Sequence, residues 1–152
     1  MPKGIMHAHR SLLEAGKGQR EVVGLSAGER SLATSKLFFA YALEHGFLGP
    51  LAIGATAILE AEWPDAERVL ELVNQYRPAT FFSVPTFYRN LLALGAARLA
   101  AFRGVRRFVA AGERVPAQLV AQWREATGGE ILSLYGMSET FSACMILSLI
   151  HI

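Results

Sequence analysis

Glu-Ile-Leu-Ser-Leu-Tyr-Gly-Met-Ser-Glu-Thr, residues 130–140, is the stretch that decides the fold. Its apolar first half, which ends at Leu134, predicts a β-strand, and its second half predicts a turn. At the carboxyl end of a parallel strand, residues 135–139 could supply a stacking ring, close backbone approach, a hydrogen bond to phosphate and a magnesium ligand. Taken alone, the stretch favours a simpler interpretation: a strand end, a Gly turn and an exposed Ser-Glu pair that starts a helix.

Strand and helix patterns alternate through the rest of the chain. We predict strands at 54–59, 80–84, 106–110 and 130–134, with helices that begin at Pro64, Pro85 and Pro116 between them. A further helix is predicted to follow the turn at Gly4 and to run to about Gly16, another is predicted at 43–51, and a short edge piece at 22–25. Because residues 54–59 are apolar throughout, that strand is expected to be covered on both faces. The alternation predicts an α/β fold with a mainly parallel sheet flanked by helices.

Composition narrows the classes of function. The 152 residues are 52% apolar and 18% charged, with a net charge of +2 and no basic block, so we expect one globular domain without a nucleic-acid partner. The lone Cys144 excludes an internal disulfide and is predicted to be a small buried residue. The apolar run 47–59 is too short and too interrupted to span a bilayer, and no signal peptide is present. We therefore predict a soluble protein of the reducing cytoplasm.

Three loops are predicted to meet at one edge of the sheet. Ligands of parallel α/β sheets bind beyond the carboxyl ends of the strands, where residues 39–41, 111–113 and 135–139 fall. Their chemistry predicts a nucleotide site beside an aromatic-lined pocket. His7 and His9, two apart on a predicted helix, point in different directions and make a poor metal pair; one of them is expected to make a hydrogen bond at the helix start.

Residues 1–9, 110–113 and 135–139 together resemble the adenylate-forming superfamily of acyl- and aryl-CoA ligases, luciferases and peptide-synthetase adenylation domains. Met-Pro-Lys-Gly-Ile-Met-His-Ala-His at 1–9 resembles the end of the family's phosphate loop and the helix after it. Ala-Ala-Gly-Glu at 110–113 resembles its adenine-contacting loop. Tyr-Gly-Met-Ser-Glu at 135–139 resembles its aromatic-Gly-x-Thr-Glu signature, with Ser in place of Thr. Residues 36–41, with 54–56 and 84–86, look most like the benzoate-CoA ligase branch.

The likeness implies a partial amino-terminal AMP-binding domain over residues 1–145, followed by an aberrant or truncated tail at 146–152. The Gly-rich half of the phosphate loop, the ribose-binding Asp, the hinge and the carboxyl-terminal domain with its adenylation Lys are expected to lie outside this sequence. The sequence is therefore interpreted as an internal fragment that is inactive alone.

The resemblance implies an acid–thiol ligase that uses ATP, Mg²⁺ and coenzyme A. Such an enzyme joins a carboxylic acid, here a benzoate-like one, to the α-phosphate of ATP and then passes the acyl group to a thiol. Glu139 would bind Mg²⁺, Ser138 would donate a hydrogen bond to the α-phosphate, and Lys3 would meet the departing phosphates.

Other residues are assigned to binding by the same resemblance. Tyr135 would stack on adenine, Gly136 and Met137 would lie beside it, and Gly112 and Glu113 would follow the base through their backbone. The acid pocket would be formed by Phe39, Ala40 and Tyr41, whose alternative role is as core aromatics at a strand end.

Two alternatives stay open at this level. A non-catalytic nucleotide-binding or interaction module could use the same scaffold. A peptide-synthetase adenylation domain is disfavoured, because residues 38–41 offer no Asp for an amino-acid ammonium group. No feature of the sequence selects an oligomeric state, a particular acid, or CoA over a carrier-protein thiol.

Overall fold

A computed structural model describes residues 3–141 and 143–147 of the chain. The strands in this part are β1 Arg30–Ala33, β2 Thr56–Ile58, β3 Thr80–Ser83, β4 Arg107–Ala110, β5 Ile131–Gly136 and β6 Ala143–Leu147. The α-helices are α1 Arg10–Gly18, α2 Ala40–Ala42, α3 Gly49–Ala52, α4 Ala66–Tyr76, α5 Pro85–Leu92, α6 Ala96–Leu99 and α7 Ala117–Thr127. Gln19–Val23 and Leu43–Leu48 are π-helical, whereas Ala100–Gly104 and Ser138–Thr140 are 3₁₀-helical. Predictions made for Met1, Pro2, the Cys144 side chain and residues 148–152 fall outside the described residues.

The strands form one sheet in the order β2-β1-β3-β4-β5-β6. Neighbours from β2 to β5 are parallel, with Phe81 opposite Phe108 and Phe108 opposite Ile131, and only the β5–β6 pair is antiparallel. The predicted α/β fold with a mainly parallel sheet is therefore confirmed. None of the helices in the described part has both the length and the apolar character that a bilayer crossing requires.

Helices cover both faces of the sheet because successive side chains of a strand point to opposite sides. All four residues of β3 are buried. Phe81 packs with residues of α4, α5 and α7, whereas Phe82 packs with Val23 and Tyr41 on the other face. The central strands are thus held from both sides, and their carboxyl ends are left for the loops.

Two sequence predictions are wrong at the periphery. Residues 22–25 do not form an edge piece: α1 continues into the π-helical segment, which ends where Gly24 adopts a left-handed conformation with φ of 78°. The strand at 54–59 is shorter than predicted and is not covered on both faces. As β2 it lies at the sheet edge, with Thr56 exposed and Leu59 54% exposed.

The prolines at two helix starts precede the first helical residue. At α4 the cap is Asp65, whose side chain accepts a hydrogen bond from the Arg68 backbone N–H at 2.8 Å, and Pro64 stands before it. At α7 the cap position is Pro116 itself. The predicted stop of α4 is confirmed, because Arg77 takes a left-handed φ of 48° directly before Pro78.

We expect Asp65→Ala to lower the free energy of unfolding by about 1 kcal/mol, because the Arg68 N–H loses its acceptor. Urea denaturation of the wild type and the variant measures the difference. Asp65→Ser keeps a capping oxygen and is expected to lose much less. Equal losses in the two variants would contradict the capping role.

Candidate active site

A cavity of about 190 Å³ lies at the carboxyl ends of β4 and β5. Three segments that are distant in the sequence contribute to its wall: residues 39–41 with 44–45, residues 111–112, and residues 134, 136–138, 141 and 143. The predicted site residues in this wall are Phe39, Ala40, Tyr41, Gly112, Gly136, Met137 and Ser138. The three loops thus meet at one cleft, and Gly112 turns there with a φ of 84° that favours glycine.

Four other predicted residues lie outside the cavity wall. The carboxylate of Glu113 accepts hydrogen bonds from the Thr86 hydroxyl at 3.1 and 3.2 Å, so its side chain is turned towards the start of α5. Tyr135 is 52% exposed at the end of β5. Glu139, next to Ser138, and Lys3 are also exposed. None of these four side chains forms part of the cavity wall.

The turn after β5 is held by a local hydrogen bond and by the amino-terminal segment. The Thr140 hydroxyl donates to the Met137 carbonyl at 2.9 Å. His7 contacts the same turn: its Nε2 donates to the Ser138 carbonyl at 2.7 Å, and its ring lies 4.8 Å from that of Phe141. The predicted role of a histidine at the helix start is wrong, because His9 at the α1 cap makes no side-chain cap bond and His7 bonds residue 138 instead.

Tyr41 joins the cavity wall to the sheet. Its hydroxyl donates to the carbonyl oxygens of Ser83 at 3.3 Å and Val109 at 3.1 Å. Burial of this hydroxyl raises the pKa of Tyr41 well above its usual range, and the Glu44 carboxylate adds to the rise. Because the hydroxyl hydrogen is used by the backbone, the part of Tyr41 available to a ligand is its ring.

Glu44 and His45 are buried groups in the cavity wall that sequence reasoning missed. Their exposed fractions are 3% and 2%. His45 Nε2 lies 3.3 Å from Glu44 Oε2, and His45 Nδ1 is hydrogen-bonded to the buried Gln19 amide. The imidazole also stacks on Phe82 with centroids 5.4 Å apart. The available signal was two adjacent titratable residues in an otherwise apolar run, which the sequence pattern assigned only to a buried helix.

Burial lowers the pKa of His45 from 6.5 to about 4, so the imidazole is neutral near pH 7. The unfolded chain therefore binds a proton more readily, and the free energy of unfolding is expected to fall as pH drops from 6.5 towards 4. The slope should approach, at most, about 1.4 kcal/mol per pH unit. Chemical denaturation at pH 7.5, 6.5 and 5.5 measures it.

His45→Gln should remove this dependence, whereas the exposed His9→Gln should keep it. A wild type whose stability is constant across this range would contradict the assignment.

A larger cavity of about 350 Å³ lies elsewhere, between β1 and the segment after β2, and is lined in part by Lys36 and Leu59. The Lys36 ammonium donates to the carbonyl oxygens of Glu60 at 3.0 Å and Ala61 at 2.9 Å. Its donors are thus used to hold a loop. Since none of the predicted site residues line this cavity, we place the site at the smaller one.

The residues present fit the Mg²⁺ that the family resemblance implies. The described residues hold no cluster of three or more His, Cys, Asp or Glu that could form an all-protein metal cage. Mg²⁺ at nucleotide sites is commonly held by one or two carboxylates together with substrate phosphates and water. The exposed carboxylate of Glu139, one residue from the Ser138 hydroxyl, is a donor of this kind.

The fold is an α/β domain whose cavity lies beyond the carboxyl ends of parallel strands. The sequence model of the AMP-binding enzyme family matches residues 1–151. The chain therefore belongs to the AMP-binding enzyme family, the adenylate-forming superfamily that its motifs resemble.

Its relatives include aryl-CoA ligases. The chain is 46% identical over 139 residues to the 3-hydroxybenzoate–CoA ligase of Aromatoleum sp. (strain CIB), and 47% identical over 139 residues to the 3-hydroxybenzoate–CoA/4-hydroxybenzoate–CoA ligase of Thauera aromatica. Each match covers 91% of this chain, which spans 27% of the relative's length. The crystal structure of a benzoate CoA ligase from Burkholderia xenovorans LB400 superposes with a TM-score of 0.88 at 31% identity, over 99% of this chain and 31% of that one.

Proposed function

We propose that this chain supplies the acid pocket and part of the nucleotide site of an ATP-dependent aryl-CoA ligase. In this reaction a carboxylate oxygen attacks the α-phosphorus of ATP as the bond to pyrophosphate breaks. A thiol sulfur, which we propose to be that of CoA, then attacks the acyl carbon and AMP leaves. The observation that carries the proposal is the meeting of residues 39–41, 111–112 and 136–138 at one cavity in a chain of this family.

The acid is proposed to lie in the cavity with its ring against Phe39, Ala40 and Tyr41. Cavities of about 150 Å³ hold a benzene ring, so a cavity of about 190 Å³ suits an acid with one ring. The small side chain of Ala40 leaves room for the flat ring, and the face of Tyr41 forms one side of the pocket.

The nucleotide is proposed to lie along the exposed side of the turn after β5. The Ser138 hydroxyl would donate a hydrogen bond to the α-phosphate, while Tyr135 would stack on adenine, with Gly136 and Met137 beside it and the backbone of 112–113 along the base. Glu139 would hold Mg²⁺, which when bound neutralises phosphate charge as an anionic acid approaches. Lys3 is proposed to meet the departing phosphates as a point charge.

The test is pyrophosphate release by the parent protein. Supplied with ATP, Mg²⁺ and an acid panel that includes benzoate and hydroxybenzoates, it is expected to release pyrophosphate and, with CoA, to form the thioester. Absence of release across the panel would overturn the proposal. The 152-residue chain alone, proposed as a partial domain over 1–145 with a divergent tail at 146–152, is expected to form no AMP. We also propose a cytoplasmic location for the parent.

Calorimetry separates the proposal from a non-catalytic module. A nonhydrolysable acyl-adenylate mimic joins the acid and the nucleotide in one molecule, so an adenylate site is expected to bind it more tightly than ATP. An interaction module without a nucleotide site would bind neither ligand.

A further inference from the structure

A buried carboxylate lies in the wall of the acid cavity. Glu44 is 3% exposed, and the wall around it is largely apolar or aromatic, with Phe39, Leu134 and Phe141 among its members. A buried charge is costly unless hydrogen bonds compensate it. Glu44 takes no part in the proposed activation of the acid, because the groups proposed for that step lie at the turn that carries Ser138 and Glu139. Glu44 is thus a carboxylate of the cavity wall that the proposed activation step does not use.

A line of buried contacts fixes this carboxylate. Gly49 lets Gln19 approach closely, because a Cβ at position 49 would lie 2.4 Å from Gln19 Cγ. The Gln19 amide donates to His45 Nδ1, which places the imidazole hydrogen on Nε2, and Nε2 faces Glu44 Oε2 at 3.3 Å. Stacking on Phe82 fixes the imidazole plane. A carboxylate can accept about four hydrogen bonds, so the contact with His45 is compatible with acceptance from a ligand.

Resting on the proposed function, we infer that Glu44 selects aromatic acids that carry a hydrogen-bond donor on the ring, namely a hydroxyl or amino group. The substrate's own carboxylate is repelled by Glu44 and is directed towards the turn with Ser138, where the Mg²⁺ proposed at Glu139 would offset its charge. The opposite part of the ring would then lie on the side of the cavity wall that contains Glu44. His45 is the positioning residue that orients the carboxylate.

Selection through a hydrogen bond to Glu44 can be distinguished from selection by the size of the ring substituent. An apolar pocket distinguishes a hydroxyl from a methyl group weakly, whereas a site built to hydrogen-bond a hydroxyl rejects the analogue that lacks it strongly. The relatives of Aromatoleum and Thauera aromatica are named for hydroxybenzoates, which is the class of acid that this carboxylate would favour.

The experiment measures kcat/KM of the parent protein for 3-hydroxybenzoate, 4-hydroxybenzoate, 3-aminobenzoate, 3-methylbenzoate and benzoate. The wild type is expected to prefer a hydroxy or amino acid over 3-methylbenzoate by about 10- to 100-fold, the range expected for a hydrogen bond to a charged group. Glu44→Leu should lower this ratio to near one, and Glu44→Gln, which keeps an acceptor oxygen, should retain part of it.

The matched control is Glu113→Gln. The Glu113 carboxylate follows Gly112 of the cavity wall but accepts its hydrogen bond from the Thr86 hydroxyl. This variant is expected to change kcat/KM for hydroxylated and methylated acids by the same factor. The inference is overturned if the wild type has the same kcat/KM for hydroxylated and methylated acids, a result that does not depend on the folding of any variant. It is also overturned if Glu44→Leu lowers kcat/KM for all the acids by the same factor. If the parent protein releases pyrophosphate with every acid and prefers none of them, only this inference is refuted. If it releases no pyrophosphate with any acid, the proposed function itself is refuted.

Discussion

Replacement of Glu139 by glutamine is expected to lower pyrophosphate release by the parent protein about 10³-fold, since a missing transition-state contact of this kind typically removes 10²–10³-fold. The change removes one negative charge and keeps the size of the side chain. Glu139 is exposed in the Ser138–Thr140 turn, so the fold should be unaffected. If this carboxylate binds Mg²⁺, the variant should also need more Mg²⁺ to reach half of its maximal rate.

The control for this prediction is Glu125→Gln on α7. Glu125 is also exposed, but it belongs to a helix that packs on the face of the sheet away from Tyr41 and Val23. This variant loses the same charge and is expected to stay within about twofold of the wild-type rate. A loss of less than tenfold in Glu139→Gln, with an unchanged Mg²⁺ requirement, would remove Glu139 from the proposed metal site.

Strands β3, β4 and β5 and the meeting of the loops could be predicted from the sequence because both follow from local patterns. Thr80–Ser83 lies in a run with strand-forming aromatics, and the structure buries all of it. Alternation with amphipathic helices then implies parallel neighbours, whose carboxyl ends share one edge. That rule alone brings residues 39–41 and 135–139 together, although nearly a hundred residues separate them.

Other features depend on long-range packing that no local pattern encodes. The turn of Glu113 towards Thr86 and the bond from His7 to the Ser138 carbonyl each join segments far apart in the chain. The contact of Gln19 with His45 depends on the π-helical continuation of α1, whereas the sequence predicts a loop up to Arg20 and an edge piece at 22–25. Glu44 is buried beside His45, so the candidate specificity residue was missed together with it.

Trp123→Ala is expected to lower the free energy of unfolding by about 3–5 kcal/mol, the range for truncation of a buried aromatic. The Trp123 side chain is fully buried, and its ring lies 4.8 Å from Tyr88, 5.3 Å from Phe102 and 5.2 Å from Phe108. Its Nε1–H has no acceptor among the described residues, so the loss is one of packing and not of a hydrogen bond. Natural domains are stable by only about 5–15 kcal/mol, so this variant should be close to unfolding.

The other tryptophan supplies the matched control. Trp63 is 66% exposed and contacts Phe38 at 6.1 Å and the Lys36 ammonium at 5.4 Å from the ring centroid. Trp63→Ala removes the same side chain and is expected to lose about 1 kcal/mol or less, because exposed ring contacts contribute little. Guanidinium denaturation followed by circular dichroism compares the two without relying on tryptophan fluorescence. Similar losses in both variants would show that the aromatic cluster around α7 is not the stabilising centre of this sheet.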